Sequence, residues 1–217
     1  MQINKKRKLN LTRLYYIISF FVLFILLIVV GIKFYKDFIK KEPEKETEVK
    51  QNLDALELYG YTLDDKDTEL YKDLFLELKE ELNKEEIDEE LYASILSKLF
   101  IVDVYTLDNK LTSTDIGGLE FIHYDMVENF KINLGDTMYN HIESNLYNDR
   151  NQSLPMVSAV EVTQIEKTKY EYNEEKFDGY LVNLKWEYET DLGYENSAQL
   201  ILIKDNNKLN VVEKVSD

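Results

Sequence analysis

The sequence predicts an α+β domain behind an amino-terminal transmembrane helix. One observation is an uncharged, almost wholly apolar run of nineteen residues near the amino terminus. The others are two segments with the apolar spacing of amphipathic helices and, after them, four segments that alternate between apolar and polar residues. Helices that precede strands are typical of α+β domains, in which helices pack on one face of a curved antiparallel sheet.

The apolar run Leu14–Ile32, which includes Phe20, Leu23 and Leu27, predicts a helix that spans a lipid bilayer. At a rise of about 1.5 Å per residue the helix is roughly 28 Å long, close to the hydrocarbon thickness of a bilayer. The thirteen residues before it carry five basic side chains and no acidic one. Because short basic flanks remain inside, we expect residues 1–13 to be cytoplasmic and the rest to be extracytoplasmic.

A cleaved signal peptide is the alternative to an uncleaved anchor. Its apolar core has about 7–15 residues and ends at a cleavage site of small residues. The run in this chain is longer, and residues 31–35 contain no such site. Richness in Lys, Asn, Ile and Tyr is typical of AT-rich bacterial genomes. We therefore expect a single-pass protein of the bacterial plasma membrane.

Charge divides the chain into a basic and an acidic part. Residues 1–50 have a net charge of +6, and residues 51–217 have a net charge of −22. Residues 33–54 are predicted to be a charged spacer, and residues 55–217 a single extracytoplasmic domain. The domain's negative field repels nucleic acid, so we expect no nucleic-acid partner. The chain has no cysteine, and the domain must therefore rely on a packed core.

Two amphipathic helices are predicted after the spacer. The first covers Asp67–Leu82, where apolar residues recur every three or four positions. Asn83 is the expected N-cap of the second helix, and Glu86 would complete a capping box. The apolar face of that helix is predicted to comprise Ile87, Leu91, Ile95 and Leu99. The run Leu99–Tyr105 is β-branched and aromatic, which predicts that the helix passes into a strand.

The rest of the domain is predicted to be one bent helical region followed by strands. Gly117 and Gly118 interrupt the chain before the helical region 119–144, which is expected to bend near Gly135. A polar loop follows over residues 146–155. Four antiparallel strands joined by hairpins are predicted at Val160–Tyr172, Tyr180–Tyr188, Ala198–Lys204 and Leu209–Val215.

This order of helix, helix, strand, helix and long strands resembles the NTF2-like (cystatin-like cone) fold. Behind a single-pass anchor, the layout of about residues 55–217 is also similar to that of envelope subunits of conjugation and type IV secretion machines. The fold hosts enzymes, binding domains and scaffolds alike. The resemblance implies a pocket between the helices and the sheet.

His123, Tyr124 and Asp125 form the cluster most similar to a catalytic site. Enzymes of the resembled fold often place such residues in the mouth of the cone, where a histidine with a carboxylate partner acts as a general base. Positions i and i+2 of a helix face apart, so the three residues converge only if the stretch is irregular. Otherwise His123 is a capping or core residue. Trp186 is the candidate for binding a small ligand in the pocket.

The sequence predicts no metal or cofactor site. His141 and Glu143 lie on the second half of the predicted helical region, eighteen residues after His123, and the spacing does not fit zinc. Asp64, Asp65 and Asp67 lack the register of a calcium loop and are expected to begin a helix. The chain contains no glycine-rich phosphate loop and no nucleophile elbow.

Interaction is the function that the sequence favours. Sixteen tyrosines are many for this length, and we expect most of them in the core or in cross-strand pairs and some in a patch that binds a partner. Those on the predicted sheet are Tyr170, Tyr172, Tyr180, Tyr188 and Tyr194. The edge strand Leu209–Val215 is a candidate for pairing with another chain. We expect a non-enzymatic module that docks on an envelope protein or on itself; the alternative is a ligand-binding or enzymatic cone domain.

Overall fold

The computed structural model describes residues 58–215, together with the single positions Phe20 and Leu56. The predicted transmembrane helix Leu14–Ile32 lies outside these residues except for Phe20, as do the cytoplasmic tail and the spacer. Within the part of the chain that is described, no helix has both the length and the apolar character that a membrane span requires.

The first helix, α1, covers Glu69–Leu82, two residues shorter at its start than predicted. The N–H of Tyr71 donates a hydrogen bond of 3.2 Å to the hydroxyl oxygen of Thr68, which caps the helix. The apolar stripe of α1 is buried against the next helix, as its periodicity predicted.

The predicted N-cap Asn83 is wrong, because Asn83 ends α1 instead of starting the second helix. Its N–H donates to the carbonyl of Lys79 at 3.1 Å. Helix α2 covers Glu89–Tyr105 and is capped by Asp88, whose carboxylate accepts hydrogen bonds from the N–H groups of Glu90 and Leu91, the second and third residues of the helix. Asp88 is positioned by the buried carboxylate of Glu81, which accepts its N–H at 2.7 Å. Glu86 lies in the loop between the helices and forms no capping box.

The run Leu99–Tyr105 is helical, and the predicted strand does not form there. This part of α2 is buried on nearly every side because it packs against α1 and against three strands of the sheet. A β-branched residue costs a helix less than about 0.7 kcal/mol, whereas burying an aliphatic side chain gains about 1.5–3 kcal/mol. Burial therefore outweighs local preference. Leu91, by contrast, is exposed near the start of the helix.

The predicted helical region 119–144 is helical only in part. Two 3₁₀ turns, Leu119–Phe121 and Tyr124–Met126, lead into helix α3, which covers Val127–Asp136. The chain then turns, because Tyr139 is drawn into a small second core where its hydroxyl donates to the carbonyl of Val104 at 2.8 Å. His141 consequently lies in a turn and Glu143 in a loop, and neither is helical.

The four predicted strands form one antiparallel sheet in the order β1-β2-β3-β4. Their bounds are Val157–Tyr172 for β1, Glu175–Tyr188 for β2, Ser197–Asp205 for β3 and Lys208–Val215 for β4. Alternate residues of β2 are buried against α2 as predicted, namely Tyr180, Val182, Leu184 and Trp186. The α+β class and the antiparallel sheet predicted from the sequence are confirmed.

The β1–β2 hairpin bends toward β4 beyond Gly179, the last residue of β2 that pairs with β3 on that side. A Cβ atom on Gly179 would lie 2.0 Å from the carbonyl oxygen of Leu202, so only glycine permits this approach. Leu202 and Ile203 point to opposite faces of β3, and both are fully buried. Both faces of β3 are therefore covered here. The hairpin curls so that Tyr172 at its tip reaches β4, which the strand order separates from β2 by β3.

Candidate functional site

A groove of about 360 Å³ lies between helix α3, strand β4 and the tip of the β1–β2 hairpin. We call it the α3–β4 groove. The side chains of Phe100, Ile122 and Val211 are buried and form its apolar floor. Its walls and rim consist of Asp125, Met126, Asn129, Phe130, Asn133, Tyr172, Val212, Glu213 and Lys214.

Helix α3 forms one wall of the groove and packs only partly against the rest of the domain. None of its ten residues is buried. Phe130 attaches it to α2, where the centroids of the Phe130 and Phe100 rings are 5.7 Å apart. Ile132 is 57% exposed. An amphipathic helix normally buries its apolar stripe, so α3 leaves apolar surface next to an apolar groove.

The rim of the groove carries charges of both signs, but the positive charge is already paired. The ammonium of Lys214 lies 2.5 and 2.6 Å from the two carboxylate oxygens of Glu195. Among the described residues, Asp125 and Glu213 form no ion pair. Burial, with a further contribution from the Glu213 carboxylate, raises the pKa of Tyr170. The groove therefore presents two carboxylates that have no basic partner among the described residues, beside apolar walls.

The edge of β4 that faces away from β3 borders the groove. Toward its start, the backbone N–H and C=O of Leu209 are satisfied by the hydroxyls of two buried tyrosines. Ile122 then pairs with Val211 as a single parallel bridge, and the Val211 carbonyl accepts the N–H of His123 at 3.1 Å. After Val211, a register shift places one extra residue in β4. The next residue whose backbone N–H and C=O point away from β3 is therefore Lys214. In the region described, Lys214 has no backbone partner on that side.

The residues of the predicted catalytic cluster are placed in different surroundings. His123 is 3% exposed, and its Nε2 lies 3.6 Å from a carboxylate oxygen of Asp205, which belongs to β3. Tyr124 is 72% exposed, and its ring packs on the imidazole at an interplanar angle of 37°, with the ring centroids 4.5 Å apart. The Asp125 carboxylate raises the pKa of Tyr124 and lies on the rim of the groove.

His123 thus has a carboxylate neighbour, but that neighbour is Asp205 and not Asp125. The stretch is irregular, because His123 precedes a 3₁₀ turn. This meets the condition under which the three residues of the cluster could converge. A general base must come within hydrogen-bond reach of a substrate proton. The imidazole is enclosed by Tyr124, by Tyr172 at 6.0 Å and by Asp205, and its Nδ1 is buried with no partner in the described structure.

Trp186 is a core residue in this structure and does not line the α3–β4 groove. It is 2% exposed, and its ring packs against that of Tyr105, with the ring centroids 4.6 Å apart. Of the tyrosines predicted on the sheet, Tyr180 is buried, Tyr188 and Tyr194 pair at 6.4 Å, and Tyr172 reaches the groove.

The residues weighed for metal binding lie apart from one another. The backbone carbonyl of His141 accepts a hydrogen bond from Gln152, and the Asp67 carboxylate accepts the N–H of Asp64 at 2.6 Å in the turn before α1. Within residues 58–215, no group of three or more histidine, aspartate or glutamate side chains is arranged to hold a metal ion.

A second cluster of charged residues was missed by sequence analysis. The ammonium of Lys110, a residue only 3% exposed, lies 2.6 Å from Asp103, whose other oxygen accepts the N–H of Gly118 at 2.5 Å. Glu120 accepts hydrogen bonds from Thr62 and from the Tyr71 hydroxyl, and burial raises the pKa of Glu120. Because these groups satisfy one another, we interpret the cluster as a clamp that holds segment 107–121 on α1 and α2.

In comparisons with known proteins, no family model, no curated protein and no solved structure matches this chain. The resemblance to the NTF2-like fold and to envelope subunits of secretion machines therefore stays a prediction.

Proposed function

We propose that the protein is a membrane-anchored interaction module of the bacterial cell envelope, and that a partner protein docks in the α3–β4 groove. The observation that carries this proposal is an apolar groove beside α3, a helix with no buried residue. Apolar surface of this kind is typical of sites where a second molecule completes the burial.

The arrangement of the chain supports the proposal. The predicted anchor Leu14–Ile32 would hold the domain at the membrane, and the spacer would set its distance from the surface. An anchored domain meets partners in the same plane, where modest affinity suffices because the local concentration is high. A half-exposed groove fits such a reversible contact better than a permanent, fully buried interface.

A small-molecule ligand or substrate of an NTF2-like cone domain is the second candidate. The groove volume of about 360 Å³ falls in the range of about 300–1,000 Å³ that small-molecule sites occupy. The polar groups available to such a ligand are Asp125, Asn129, Asn133 and Glu213. The proposal of a docking groove is favoured because the groove is open along α3 and β4, whereas small-molecule sites enclose most of the ligand.

Site-specific photo-crosslinking in intact cells tests the proposal. A photoreactive benzoylphenylalanine at Asn133, which lines the groove, is expected to form a covalent adduct with another protein. The matched control is Lys131, which is exposed on the same helix but does not line the groove. A protein adduct at position 133 and none at 131 supports docking in the groove.

Two results would count against docking. Equal adducts at positions 131 and 133 would mean that crosslinking reports only crowding at the membrane. No protein adduct at position 133, together with a small molecule that copurifies and is retained in native mass spectrometry, would favour the ligand-binding alternative.

A further inference from the structure

We infer that the α3–β4 groove binds an extended peptide segment of the partner, in which basic residues alternate with apolar ones. This inference rests on the proposed docking function and adds the chemistry of the segment that docks. It follows from three properties of the groove: amide and backbone groups along its two sides, an apolar floor, and two carboxylates for which the described structure contains no basic partner.

The two long sides of the groove offer hydrogen-bonding groups suited to a peptide backbone. Asn129 and Asn133 line it from α3, and because they are four residues apart they lie one above the other on the same face of the helix. Each amide has donors and an acceptor, so it can pair with both the N–H and the C=O of a peptide unit. On the opposite side, the free edge of β4 at Lys214 offers backbone groups.

The edge of β4 already accepts a parallel segment of the domain's own chain. Ile122 pairs with Val211, and the N–H of His123 donates to the Val211 carbonyl. This pairing stops after one bridge, because the chain turns away into the 3₁₀ turn that precedes α3. A bound peptide would continue along the same edge beside residues 212–215, which span about 13 Å at 3.3 Å per residue.

The floor and the charges determine which side chains the peptide carries. Alternate side chains of an extended peptide point to opposite faces, so every second residue would face the buried floor of Phe100, Ile122 and Val211. Asp125 and Glu213 stand at the rim, and Glu195 already neutralises Lys214. The residues between the apolar ones are therefore expected to be lysine or arginine.

A direct binding measurement with a defined probe tests this inference. The full-length chain is placed in nanodiscs of zwitterionic lipid, and binding of a fluorescein-labelled Lys-Leu-Lys-Leu-Lys-Leu-Lys peptide is followed by fluorescence polarisation, with empty nanodiscs as the blank. We expect saturable binding to the protein. The corresponding peptide with glutamate in place of lysine is expected to bind at least tenfold more weakly.

Two double variants locate the binding. D125N/E213Q removes the two rim charges and is expected to weaken binding of the lysine peptide about tenfold or more. E77Q/E187Q, the matched control, removes the same charge from exposed positions outside the groove and is expected to change binding less than twofold. Equal losses in the two variants would show that the net charge of the domain attracts the peptide, and would overturn the inference.

The contribution of the peptide backbone is tested separately. A lysine peptide with N-methyl groups on alternate residues keeps its charge and apolar side chains but loses half of its N–H donors. We expect it to bind at least tenfold more weakly, and we expect N129A/N133A to weaken the unmethylated peptide similarly. Equal binding of the methylated and unmethylated peptides would overturn the extended-peptide inference.

The two proposals fail in different ways. If no peptide binds but benzoylphenylalanine at position 133 still crosslinks to a partner in cells, the docking function stands and the peptide chemistry is wrong. If the peptide does not bind and the crosslink is also absent, both are wrong.

Discussion

The Nε2 atom of His123 lies 3.6 Å from the carboxylate of Asp205. This contact joins the segment before α3 to the end of β3. The ring of Tyr172, at the hairpin tip, packs edge-on against the same imidazole, with the ring centroids 6.0 Å apart. Three distant parts of the chain therefore meet at one histidine. This position gives His123 a role in packing that can be separated from any role in chemistry.

Replacing His123 distinguishes packing from acid–base chemistry. His123→Ala removes a buried ring and is expected to lower the free energy of unfolding by about 2–4 kcal/mol. His123→Phe keeps a ring between Tyr124 and Tyr172 and removes a buried nitrogen without a partner, so we expect a change of less than about 1.5 kcal/mol. Urea denaturation of the full-length chain measures both. A phenylalanine variant as unstable as the alanine variant would contradict this role.

The buried ion pair between Lys110 and Asp103 is expected to be essential for stability. Lys110→Met leaves the Asp103 carboxylate without its counter-charge, and we expect a loss of about 3–5 kcal/mol in the free energy of unfolding. Lys169→Met breaks a pair of similar length, 2.7 Å, on the surface, and we expect little change because water screens exposed charges. Equal effects of the two substitutions in urea denaturation would show that Lys110 is not buried in solution.

Two glycines provide a matched test of the bend in the hairpin. Gly179→Ala places a Cβ atom 2.0 Å from a backbone oxygen of β3, which cannot move without breaking the sheet. We expect a marked drop in the midpoint of thermal unfolding. Gly135→Ala, on α3, has no atom within 4 Å of its Cβ and is expected to stabilise the domain by about 0.5–1 kcal/mol. A tolerated Gly179→Ala would mean that β2 does not approach the backbone of β3 this closely at Gly179.

The buried tyrosines predict how stability changes at alkaline pH. Burial raises the pKa of Tyr92 to about 12, and it raises the pKa of Tyr71, Tyr105 and Tyr139 further. Because the unfolded chain titrates near about pH 10, the folded state holds more protons between these values. The stabilisation is complete below about pH 10 and is lost as the pH rises through 12.

Absorbance at 295 nm and circular dichroism, recorded together, check the alkaline prediction. We expect the ionisation of the buried tyrosines to coincide with the loss of circular dichroism. Ionisation of all tyrosines near pH 10 in a chain that stays folded would contradict it.

The expected topology can be tested because the chain has no cysteine of its own. A cysteine in place of Tyr147, which is 86% exposed, is expected to react with a membrane-impermeant maleimide in intact cells. A cysteine in place of Lys6 is expected to react only after the membrane is permeabilised. The opposite pattern of labelling would reverse the predicted orientation.

Sequence periodicity predicted the sheet because its signal is local. Alternation in β2 reports directly which side chains face α2, and the turn at Asn206 and Asn207 is marked by residues that accept positive φ angles. The helix over Leu99–Tyr105 was not predicted, because its β-branched residues favour a strand and only tertiary burial makes it helical.

The groove could not be predicted because its residues converge from distant parts of the chain. The groove forms only when the hairpin bends at Gly179 and α3 packs on α2, which brings together Phe100, Phe130, Tyr172 and Val211. The sequence pattern groups His123 with Asp125, but its carboxylate neighbour in the structure is Asp205, which is far away in sequence. The one local signal that points to the clamp around Asp103 is the Gly117-Gly118 pair, where a Cβ on Gly117 would lie 2.2 Å from the Asp103 carbonyl oxygen.

Strand β1 lies at one end of the strand order, and within residues 58–215 no other strand pairs with its outer edge. An unprotected strand of this length invites stacking of identical chains into fibrils, above all when anchors concentrate many copies in one membrane. Two register irregularities interrupt β1, and Glu161, Lys167 and Lys169 are exposed along it. These features disfavour edge-to-edge pairing between copies, which the proposed crowding of anchored chains in one membrane would otherwise promote.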